Sequence, residues 1–70
     1  MKTYAQLAEQ STVAAANHFA SGFDELAINS ARLAIACYAK AYVDDGSEVW
    51  RQHGEEMEKF VKRLEKEPTK

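Results

Sequence analysis

The sequence predicts an all-α fold: one compact three-helix unit. Residues about 4–21 and 24–43 should form an antiparallel helical hairpin, and residues about 47–66 an amphipathic third helix. Three observations carry this reading. No proline occurs before Pro68, so nothing interrupts a helix over nearly the whole chain. Glycine occurs only at positions 22, 46 and 54, and the first two stand where a helix should end. Apolar residues recur at three- and four-residue spacing, most clearly from Val49 to Leu64.

Helix 1 opens on Thr3-x-x-Gln6, the capping-box spacing in which each side chain satisfies a free backbone N–H of the other residue. It should run to about Ser21, with Gly22 supplying a left-handed terminus. Asp24 is the expected N-cap of helix 2, with Phe23 and Ile28 at the two positions of a hydrophobic staple. Such a short connection requires the two helices to fold back on each other. Helix 2 should reach Val43 and be followed by the turn Asp44-Asp45-Gly46-Ser47. Either Ser47, or Asp45 with Glu48 three residues on, can cap helix 3, which stops before Pro68. The chain reads as one domain over 1–70, with a short disordered tail from about residue 67.

Helix 3 carries Val49, Trp50, His53, Met57, Phe60, Val61 and Leu64 on one stripe. Glu55–Lys59 and Glu58–Lys62 are expected as i,i+4 pairs on its wet side. Helix 2 confines Glu25, Asn29, Arg32 and Lys40 to a narrow strip and is apolar over the rest of its circumference, which makes it the central element. Ala27, Ala31, Ala34 and Ala41 would let it approach the Ala8, Ala14 and Ala15 side of helix 1 closely. Its apolar arc is wider than one hairpin needs. Of 32 apolar residues in the 70-residue chain 12 are alanine, so the core available to one copy is thin. Self-association, a dimer above all, or a larger protein partner would complete it.

Charge excludes several functions. Nine basic residues stand against eleven acidic ones, and they are spread evenly along the chain, so there is no basic face for a phosphate backbone. The spacing around Gly22 and Ile28 resembles a helix-turn-helix. However, His18 stands where that family wants a small residue, and the would-be recognition helix begins Asp24-Glu25, which phosphates would repel. No nucleic acid is expected. Nor is a membrane: no run approaches the ~18 apolar residues of a span, and residues 1–6 lack the apolar stretch of a signal peptide. A single cysteine, Cys37, rules out an internal disulfide and suits a reducing compartment, so the expected location is the cytoplasm.

No catalytic residue is expected. Ser11 and His18 lie about 10 Å apart along a helix, against the ~3 Å a nucleophile and base require. His18 and Cys37 are separated by about 15 Å of hairpin, and Cys37 is best read as a small buried hydrophobe. No metal and no cofactor is expected either. His53 has only Glu56 within reach, and Asp44-Asp45-Gly46 departs from the calcium loop, whose sixth position must be glycine and here is Val49.

Two groups remain as candidate binding residues. Tyr4, Ser11 and His18, spaced by seven, line up on the inward face of helix 1 and could edge a groove for a small anionic ligand; the plainer alternative is that all three are satisfied within the fold. Tyr4, Tyr38, Tyr42 and Trp50 should gather at the open end of the bundle, and His53, at the edge of the core on helix 3, is a further candidate. The four aromatics form either an interface anchor or a lid on the core. The hairpin also resembles a tetratricopeptide unit at Ala15, Gly22, Ala27, Ile28 and Ala34. Ser11 replaces that unit's Trp, His18 and Ala31 replace aromatics, and no proline closes it, so the resemblance implies a tight hairpin and no function. The expectation is a non-enzymatic inhibitor or adaptor of a larger macromolecule. In size and composition it is similar in kind to small phage- or plasmid-encoded accessory proteins.

Overall fold

A computed structural model describes residues 3–66. Three helices follow one another: α1 (Tyr4–Ala20), α2 (Asp24–Asp45) and α3 (Glu48–Lys66). α1 packs on α2 and α2 on α3, so α2 is the middle layer. The expected tail from residue 67 lies outside the described residues.

The helix ends follow local chemistry. Thr3 and Gln6 form the capping box: Gln6 N–H donates to Thr3 Oγ1 at 3.1 Å, and Thr3 N–H donates to Gln6 Oε1 at 3.0 Å. α1 ends one residue early, at Ala20. Gly22 takes φ +83°, and the N–H groups of Gly22 and Phe23 donate to the carbonyls of Phe19 and His18. That pair of bonds is the Schellman closure. It also corrects the expected start of α2. The chain leaves the closure so tightly that the N-cap is Phe23, whose carbonyl already accepts from Ala27 N–H, and Asp24 is the first helical residue. Asp24 and Glu25 then act as first-turn charges on the helix dipole rather than as a cap. The staple expected between Phe23 and Ile28 loses its register: Phe23 is 55% exposed, while Ile28 packs against Ala15, Ala31 and Val61.

α2 runs two residues past Val43 and ends at Gly46, which has φ +68° and donates its N–H to the Tyr42 carbonyl. Asp45 therefore belongs to α2, and Ser47 immediately precedes α3. Ion pairing on α3 also differs from expectation. Arg51 reaches back to Glu48 at 2.6 Å and forward to Glu55 at 2.5 Å, so Glu55 is engaged by Arg51.

The interior is small. Ala8 and Ala15 of α1 face Ala27, Ala31, Ala34 and Ala41 of α2, all at most 3% exposed; Ala14 is only half-buried. The larger buried residues are Cys37, Tyr38, Val61 and Leu64. Alanine lets α1 and α2 approach closely but contributes little apolar area per residue. α1 and α3 meet chiefly at one end, where the Phe19 and Phe60 rings stand edge to face at 5.6 Å. The Cα envelope measures 38 × 23 × 13 Å. With packed helix axes 8–10 Å apart, this is a slab in which α1 and α3 flank α2 and leave its outer side open.

Candidate functional site

The aromatic group divides into two. Tyr38 points from the middle of α2 toward α3, where Trp50 and His53, almost one turn apart, stack on it with ring centroids at 6.0 and 5.4 Å. The Tyr38 side chain is 4% exposed, Trp50 is half-buried and His53 lies on the rim. The Trp50 indole N–H donates to Asp45 Oδ2 at 3.1 Å, which ties the start of α3 to the end of α2. Tyr42 flanks Trp50 along a shallow surface cleft of about 290 Å³, whose apolar wall continues through Ile35, Ala39 and Val43. Arg51 stands on the charged rim. Its guanidinium is held above the ordinary arginine value first by the hydrogen bond it donates to Glu48 and then by the charges of Glu48 and Glu55.

Tyr4 is not part of this stack. It sits on α1, 41% exposed, with the Lys40 ammonium over its ring at 5.3 Å from the centroid. The expectation that Tyr4 joins Tyr38, Tyr42 and Trp50 is thereby corrected: the exposed outer face of α2 at Val43 stands between them. The line through Tyr4, Ser11 and His18 is also uneven. Ser11 is buried at 9% exposure in the contact with α2, and His18 is half-buried beside the turn. The line slips because seven residues complete slightly less than two helical turns. No fully buried side-chain nitrogen or oxygen among the described residues lacks a hydrogen bond.

Thr12 was not singled out from the sequence. Its hydroxyl donates to the Ala8 carbonyl at 2.9 Å and lies 3.1 Å from the Tyr38 hydroxyl, so a side chain of α1 reaches the aromatic stack. Its position one residue after Ser11, turned toward α3, could have suggested this.

On α3, Val61 and Leu64 are buried and Trp50, Met57 and Phe60 half-buried, whereas Val49, expected on the same stripe, is 50% exposed. Large apolar side chains are exposed on α1, where Val13 is 60% exposed, and on α2. Leu26, Leu33 and Val43 are 48%, 58% and 81% exposed, on the side opposite the alanine face. Among the described residues no group of three His, Cys, Asp or Glu could hold a metal ion, and no helix is long and apolar enough to cross a membrane. No family model, curated protein or solved structure matches this chain.

Proposed function

We propose that the chain is a non-enzymatic binding module of the cytoplasm, a small helical protein that self-associates and docks on a larger macromolecule as an inhibitor or adaptor. The observation that supports this most is the mismatch between interior and surface. The buried set is mostly alanine, while leucine and valine of the central helix face outward. With Ala36 also exposed between them, they give the outer side of α2 apolar area that an interaction would cover. Beside it, Tyr42, Val43 and Trp50 offer large contact area with polar tips on the two aromatics, the composition of interface anchors. The alternative, capture of a small anionic ligand beside Tyr4, Ser11 and His18, draws less support because Ser11 is packed inside.

The test is affinity capture followed by titration of the purified captured macromolecule. The expected result is a stoichiometric complex whose Kd rises by about tenfold or more in Trp50→Ala or Tyr42→Ala chains of undiminished helicity. Absence of any stoichiometric complex, or equal binding by both variants, would overturn the reading.

A further inference from the structure

We propose that α2 pairs antiparallel with α2 of a second copy along a seam formed by Leu26, Asn29, Leu33, Ala36, Lys40 and Val43. This rests on the self-association part of the proposed function and assigns it a surface, a partner and a register.

The six residues form two rows with a seven-residue repeat: Leu26, Leu33 and Lys40 in one, Asn29, Ala36 and Val43 in the other. That is the spacing of a coiled-coil seam. All six are exposed, and at 100° per residue the seam lies opposite the face formed by Ala27, Ala34, Tyr38 and Ala41. It runs nearly the full length of the helix, about 33 Å.

Self-complementarity identifies the occupant. α2 spans residues 24–45, so a two-fold axis through its midpoint gives full overlap by pairing seam residues whose numbers sum to 69. In that register Leu26 meets Val43 of the second copy, Leu33 meets its Ala36, and Asn29 meets its Lys40. Each apolar residue finds an apolar one, and the ammonium finds an amide oxygen. The Lys40 ammonium has three donors, so one can go to Asn29 while its contact with the Tyr4 ring is kept. The flanks agree. Positions on one side of an antiparallel seam meet their own kind, so Arg32, already held by Glu65 at 2.7 Å, comes opposite Ala39. On the other side Ser30 comes opposite Cys37, and no like charges meet. A slip of one heptad sets Asn29 against Leu33 or Lys40 against Ala36. A parallel pair sets Lys40 against Lys40, which like-charge repulsion opposes.

Disulfide trapping tests the register in a Cys37→Ala background. Leu26→Cys and Val43→Cys chains are oxidised separately and as an equal mixture. Each chain then carries one cysteine, so no internal bridge can form, and in the antiparallel register the two copies of either position lie about 25 Å apart along the seam, out of reach of each other. The mixture is expected to give a covalent species at twice the 7.9 kDa chain mass, absent from either variant alone and lost when Leu33→Glu is added to both chains with helicity intact. Cross-linking within one variant alone would overturn the antiparallel register. A wild-type chain of dimeric mass whose mixture fails to cross-link would overturn the seam while leaving self-association standing. A monomeric mass at every concentration would overturn both.

Discussion

The Tyr38 hydroxyl meets Thr12 Oγ1 at 3.1 Å across 26 residues of sequence, and the same tyrosine ring carries Trp50 and His53 stacked on it. One side chain of the middle helix thus touches both neighbours. Thr12 gives its only hydroxyl proton to the Ala8 carbonyl, so Tyr38 is the donor in the pair.

That direction makes the two halves of the bond unequal. Tyr38→Phe leaves Thr12 bonded to Ala8 and should cost about 0.5–1.5 kcal/mol, an ordinary hydrogen bond. Thr12→Val strands the nearly buried phenol and should cost more, about 1–3 kcal/mol. In the double variant the two losses should be less than additive, because a phenyl ring in place of the phenol leaves no hydroxyl to strand. Urea unfolding of the four proteins checks the order.

Gly54 is the one glycine of the chain inside a helix, and a Cβ built there meets only the Tyr38 Cβ at 3.6 Å, an ordinary contact. Gly54→Ala should therefore stabilise the protein by about 0.5–1 kcal/mol through lower backbone entropy of the unfolded chain. Thermal unfolding should register this as an increase of several degrees in Tm. A decrease would mean that α2 and α3 pack more tightly than the 3.6 Å contact implies.

Close approach of α1 and α2 depends on alanine at the crossing. Ala8 and Ala34 are both fully buried in one cluster with Cys37 and Tyr38. Ala34→Leu should force the helices apart and cost about 1–3 kcal/mol or more, whereas Gln52→Leu, at an exposed helical position of α3 outside the proposed seam, should not destabilise. Comparing the two variants by chemical denaturation separates crowding at the crossing from a general effect of leucine on a helix.

Much of the fold could be read from local signals. Thr3, Gln6, Gly22 and Gly46 each act through backbone geometry within a few residues, and all four stand where expected. Asp24 was placed one position off as a cap because the Schellman closure at Gly22 uses Phe23, a constraint set by the preceding helix and invisible in the start signal itself. The candidate site was less legible. Seven-residue spacing aligned Tyr4, Ser11 and His18, but which of them faces α2 depends on the rotation of α1, and packing turned Ser11 inward. The apolar excess of α2 was evident from composition. Its concentration at Leu26, Leu33 and Val43 was not, because α1 and α3 could have covered any part of that arc.

The central claim is that one copy has too thin an interior to be more than marginally stable alone and that the outer face of α2 is covered by another. The concentration dependence of Tm tests it most directly. If folding is linked to dimer formation, Tm should rise by several degrees over about a hundredfold increase in chain concentration. In Leu33→Glu it should be lower and independent of concentration. Superimposable wild-type melts over that range, with a Tm above the usual mesophile range of about 45–65 °C, would contradict the claim.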